Sequence, residues 1–202
     1  MERKKEHFIG LDLAQRVDFS AYAIVTATTH IADTPDPVYY QRAKTELLRV
    51  RDAAQCPPGL AYTKIPSVVY QLRCALGWDL PVTLAVDASG PGLPVVEMIK
   101  ASHPQVEIQS YTITPGGAGL NIRKGGHTIG RQTLLSNLRV ALEARVLRFP
   151  GNLHCRHQLL EQILDASIDA PGREHDDLVF ALALGVISAT TRNPSLLKTP
   201  IK

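Results

Sequence analysis

Three acidic positions, far apart in the chain, stand where chemistry could use them. Residues 7–14 (HFIGLDLA) read as a strand that is apolar on both sides of a single acid, Asp12. An ionised carboxylate amid Phe8, Ile9, Leu11 and Leu13 is costly to bury without a partner. Asp12 therefore marks a strand end facing a cation or a crevice, with a simple strand cap as the alternative. Residues 81–87 (PVTLAVD) form another apolar run, which ends in Asp87 and passes directly into 88–92 (ASGPG) and a helix over 93–101. Strand, terminal acid, glycine turn and helix is the pattern of α/β folds whose sites lie outside the strand ends; an acid that merely caps the turn is the plainer reading. Asp176 and Asp177 stand at the entry of 178–187 (LVFALALGVI), a helix apolar on nearly every side and hence buried. Acids are ordinary in a first helical turn, and at about 100° per residue only one of these two points into a shared site.

Carboxylates held within a few Å of one another repel, which they tolerate when divalent cations sit between them. Hard oxygen ligands select Mg²⁺ or Mn²⁺, and two such ions about 3.5–4 Å apart can activate water and stabilise the leaving oxygen of a phosphodiester. No Ser-His-Asp arrangement is evident. His154, Cys155 and His157 look like metal ligands but lack a second pair at zinc-site spacing, so they read as structural or surface residues. Cys56, Cys74 and Cys155 are odd in number and widely spaced, and imply no disulfide framework.

The elements that must position these acids read as mixed α/β. Residues 21–27 pair with the first strand as an antiparallel hairpin, and 38–43 add a third strand to make a meander. Residues 49–61, with Arg49, Arg51 and a Cys-Pro-Pro-Gly run, read as an irregular loop. A helix opened by Thr63 and Pro66 ends at Gly77. Residues 106–113 form a further strand. From 115 to 130 the chain is rich in glycine, interleaved with Arg123, Lys124 and His127 and followed by Arg131. No Gly-Lys-Ser/Thr closes this stretch, so it is not a P-loop; it reads as a hairpin-like basic segment at the rim of a site, or as a solvated loop. A helix over 132–145, a short strand at 146–149 and a helix over 158–164 complete the frame.

At 202 residues, 45% hydrophobic and 20% charged, the chain fits one globular domain. Its formal charge of +3 permits a polyanionic partner without requiring one. The longest apolar run is far shorter than the roughly 20 residues of a membrane helix. Residues 1–5 (MERKK) lack the apolar segment of a signal peptide, so a cytoplasmic location with no membrane partner is expected.

Together, residues 9–14 (IGLDLA) with Asp18 and Ser20, 84–92 (LAVDASGPG) and 175–183 (HDDLVFALA) resemble the nuclease domain of tailed-phage terminase large subunits. The resemblance extends over nearly the whole chain. It implies a ribonuclease H-like fold, a mixed sheet with an antiparallel three-strand meander plus parallel strands flanked by helices. It implies a nuclease domain over 1–192 with a tail at 193–202. By motif, Asp12, Asp87 and one of Asp176 and Asp177 would bind Mg²⁺ or Mn²⁺, two ions in all, with Asp18 an outer-sphere helper. Family members often carry a further acid three residues after the second aspartate, which favours Asp177; here that place is Phe180. The implied activity is two-metal cleavage of duplex DNA during viral genome packaging, in the bacterial host cytoplasm, with Arg123, Lys124 and Arg131 on the DNA. The implied partners are a packaging ATPase, a small terminase subunit or a portal, since the chain has no Walker motif of its own. Three rivals share features of the pattern: a Holliday-junction resolvase-like nuclease, an actin-like ATPase, and a catalytically weak DNA-binding or assembly module of the same fold.

Overall fold

The computed structural model describes residues 2–13, 19–35, 42–90, 92–166 and 176–197. Eight strands there make one mixed sheet, with five helices packed on it. In chain order they are β1 (Glu2–Asp12), β2 (Ala21–Pro35), β3 (Arg42–Gln55), α1 (Ile65–Leu76), β4 (Val82–Asp87), α2 (Gly92–Ser102) and β5 (Glu107–Thr114). Then follow β6 (Asn121–Arg123), β7 (Gly126–Gly130), α3 (Arg131–Glu143), β8 (Leu147–Arg148), α4 (Arg156–Asp165) and α5 (Asp177–Arg192).

The strands lie in the order β6-β7-β5-β4-β1-β2-β3-β8. β1, β2 and β3 are the expected antiparallel meander, and β4, β5 and β7 continue from β1 in parallel. Successive side chains of a strand point to opposite faces, and both faces of this sheet are covered. Ile9, Leu11, Leu84 and Val86 pack under α1 and α2, whereas Phe8 and Ala85 face α3, α4 and α5. Gly10 shares that second face and lets α5 lie directly on β1. A Cβ at Gly10 would fall 1.8 Å from the carbonyl oxygen of Ala181, so no side chain fits between strand and helix. Fourteen of the sixteen residues of α5 are buried, as its unbroken apolar sequence requires. Its carboxyl end is pinned to the sheet by Arg192, which pairs with Glu107 at 2.5 Å and Glu6 at 3.6 Å.

One expectation is corrected. Residues 49–55 are strand, not loop: β3 runs to Gln55, with Leu48, Val50 and Ala53 buried. A β-bulge, where Ile24 pairs with Asp52 but Val25 with Val50, breaks the two-residue alternation that would have revealed it. Of the two readings of the glycine-rich segment, the hairpin-like one is what forms: β6 and β7 pair and extend the sheet beyond β5. Of the third strand expected at 38–43, residues 38–41 lie outside the described residues. Beyond α5 the chain turns through Pro194–Leu197 and buries Leu196. Among the described residues no helix is long and apolar enough to cross a membrane.

Candidate functional site

Asp12 and Asp87 are the last residues of adjacent parallel strands, and the register that sets Leu11 opposite Val86 brings them side by side. Alternation points both toward α5, because Gly10 and Ala85 face that helix. Asp177 opens α5 above them and is buried, with 7% exposure, while Asp176 precedes it at the N-cap position. Neither aspartate caps its own helix. Gln162 of α4 does so instead: its Oε1 accepts from the backbone N–H groups of Leu178 (3.0 Å) and Val179 (3.2 Å). Those are two of the donors a helix start leaves without intrahelical partners, so both carboxylates are released for other contacts.

Each acid has a distinct setting. Asp87 Oδ1 accepts from the backbone N–H of Ser89 (2.8 Å), and Ser89 Oγ accepts from the N–H of Ile113 (3.0 Å), which ties the turn after β4 to β5. That turn is tight enough that a Cβ at Gly92 would lie 2.5 Å from the Asp87 carbonyl oxygen. Asp177 Oδ2 accepts from Gln55 Nε2 (3.2 Å), whose Oε1 in turn accepts from Gln158 Nε2 (2.8 Å). Asp176 Oδ2 accepts from Arg131 Nη2 (2.9 Å), and the Arg131 guanidinium lies over the Phe180 ring at 5.1 Å. Phe180 thus occupies the place of the further acid with a surface for a cation.

Burial holds the Asp12 carboxyl well above the usual carboxylate range, and Asp87, Asp177 and Asp176 push it further in that order. Among the described residues the backbone N–H of Leu13 opposes this, and no cationic side chain does. Asp87 is raised by burial and held down by its Ser89 hydrogen bonds. Four carboxylates therefore share one field, with the proton favoured on Asp12.

Among the described residues, no three Asp, Glu, His or Cys side chains already stand close enough to hold a metal ion. Charge acts over many Å while ligation needs about 2.0–2.6 Å. Asp12 lies within Coulombic reach of the other three acids, and Ser89, Gln55 and Arg131 engage Asp87, Asp177 and Asp176 in hydrogen bonds. By donor chemistry, an all-carboxylate cluster with an uncompensated member suits a hard divalent cation.

Asp18 lies outside the described residues. Arg123 and Lys124 are exposed at the turn of the β6–β7 hairpin. Pairings of Asp87 with Tyr111 and of Tyr111 with His127 put this hairpin level with the acids, two strands to one side. Arg131 is apart from that pair, at the start of α3 and in contact with Asp176. Gln55 and Gln162 escaped notice in the sequence, since a glutamine at a strand end and another in an amphipathic helix carry no signal of their own.

A mixed sheet of this order, with helices on both faces, is the ribonuclease H-like fold. No family model and no curated protein matches the sequence. Among solved structures, the nuclease domain of the human cytomegalovirus terminase, in a Mn-soaked form, is similar over 91% of this chain and 83% of its own, with a TM-score of 0.55 and 14% identity. The likeness is one of fold, and its source is an animal virus, so it does not single out tailed phages.

Proposed function

We propose that this chain is a divalent-metal-dependent endonuclease of the terminase kind, which hydrolyses phosphodiester bonds of duplex DNA. The observation that carries the reading is the meeting of acids from three distant parts of the chain on one face of the sheet, with Asp12 buried and uncompensated. The fold it shares with a terminase nuclease domain supports it. Asp12, Asp87 and Asp177 would hold Mg²⁺ or Mn²⁺, two ions in the fullest form, with Asp176 near them and Asp18 as an outer-sphere helper. Bound there, such ions lower the pKa of water and offset charge on the leaving oxygen.

The chain's own residues supply the positioning. Gln55 and Ser89 orient the Asp177 and Asp87 carboxylates, and Gln162 fixes the helix that delivers Asp177. Arg131 holds Asp176 and neutralises one charge of the cluster. Arg123 and Lys124 would grip the phosphate backbone beside the acids, a contact that positions DNA without reading its sequence. In its finer form the reading is genome packaging in a tailed phage, in the host cytoplasm, with an ATPase, small subunit or portal delivering the DNA.

Supercoiled plasmid incubated with Mg²⁺ or Mn²⁺ tests the activity. Nicked and linear products are expected from the wild type, none in EDTA, and a loss of about 100-fold or more in Asp12→Asn and Asp87→Asn. Equal cleavage by these variants, or cleavage that persists in EDTA, would overturn the assignment.

A further inference from the structure

The β1–β3 meander extends past α1, and on the face opposite the acids it forms a cavity of about 460 Å³. Lys5, Arg49 and Arg51 line it together with His7, His30 and Thr28, and no Asp or Glu is among its lining residues. Three cationic side chains are thus gathered in one recess. The backbones of Lys5 and Arg49 are paired within the sheet, and the recess is lined by their side chains together with that of Arg51. His7 is buried with its Nδ1 2.8 Å from Thr26 Oγ1, and the Nδ1 of His30 is buried without a hydrogen-bond partner. Burial lowers the pKa of His7, and Arg51, Arg73 and Lys5 lower it further, as a pocket of positive potential must. Leu47, Leu76 and Leu80 give the same cavity an apolar wall.

Cations clustered on one recess attract an anion even where water and salt screen them in part, and guanidinium groups suit phosphate oxygens well. The volume lies in the range of small-molecule pockets, about 300–1,000 Å³. A duplex is too broad to enter such a recess, whereas a ligand with one phosphate and a flat or apolar body matches both kinds of wall. From His7 to Asp12 along β1 is roughly 17 Å, and the sheet itself lies between. We propose that this cavity binds a phosphate-bearing small molecule of mononucleotide size, at a site separate from the acidic cluster and independent of the nuclease reading.

Calorimetric titration of the full chain in EDTA with AMP, inorganic phosphate and a short blunt duplex tests it. AMP is expected to saturate one site with a Kd below about 1 mM, and inorganic phosphate to compete more weakly. Arg49→Ala with Arg51→Ala should weaken AMP at least about tenfold, while Asp12→Asn leaves its affinity unchanged. Both arginines are exposed, so the double variant should fold. Lys5→Gln gives a second, severalfold loss should it not. No saturation at millimolar AMP, equal affinity in the arginine and Lys5 variants, or binding of the duplex alone would overturn the proposal.

Discussion

At Asp12 the cost of burial and the repulsion of Asp87, Asp177 and Asp176 act in the same direction, so the folded protein binds a proton there more tightly than the unfolded chain does. A carboxylate raised in this way lowers stability as pH rises from its unfolded value, about 3.9, through the folded one. Melting curves in EDTA should therefore show Asp12→Asn more stable than wild type near neutral pH, with the advantage shrinking toward about pH 4. Equal melting temperatures across that window would show that the acids do not share a field. Arg131 poses a different residue-scale question, because it meets Asp176 and Phe180 while Arg123 and Lys124 extend freely. Replacing Arg123 and Lys124 by Ala should lower the magnitude of the salt slope of DNA binding by about one to two, equally for all sequences. Arg131→Gln should leave that slope nearly unchanged and cost up to about 1 kcal/mol of stability through its half-buried pair with Asp176. A slope that drops only with Arg131→Gln would reverse the two roles.

At the scale of elements, the position of Asp177 depends on α5, and α5 depends on contacts the sequence does not advertise. Gln162 reaches from α4 to cap it, and Gly10 lets it settle on β1. Gln162→Ala should cost about 1 kcal/mol, the usual worth of an N-cap, and should reduce cleavage more than metal-free stability because the helix start carries a carboxylate. Undiminished cleavage would detach α5 placement from the chemistry. The helix itself was plain from its unbroken apolar run, and β1 and β4 from apolar strands ending in Asp12 and Asp87. Those signals are local, and they gave the mixed α/β frame; the ribonuclease H-like fold itself was implied by the resemblance of the three acidic motifs. What stayed hidden was long-range: β3 lay behind a bulge and polar residues, and the hairpin-like glycine-rich stretch gave no sign that β7 joins the sheet beside β5. The Gln55–Asp177 bond spans 122 positions, and no local pattern encodes such a contact.

At the scale of the whole molecule, the acidic cluster and the cationic recess lie on opposite faces of one sheet. The acids gather at the carboxyl ends of β1 and β4 on the α5 side, and the cations of Lys5, Arg49 and Arg51 gather on the α1 side. That separation suits a protein that takes cations at one site and anions at another, with the sheet as insulation between them. A net charge of only +3 also implies weak and sequence-indifferent grip on duplex DNA, since such binding follows counterion release. The central claim, that the acids form a divalent-cation site, is tested most directly by the anomalous scattering of Mn²⁺ in a soaked crystal. The account expects at least one Mn²⁺ peak bridging Asp12 and Asp87, with Asp177 turned from Gln55 to join it, and no such peak in Asp12→Asn. A wild-type map without density between those carboxylates, or with Mn²⁺ bound only elsewhere, would contradict it.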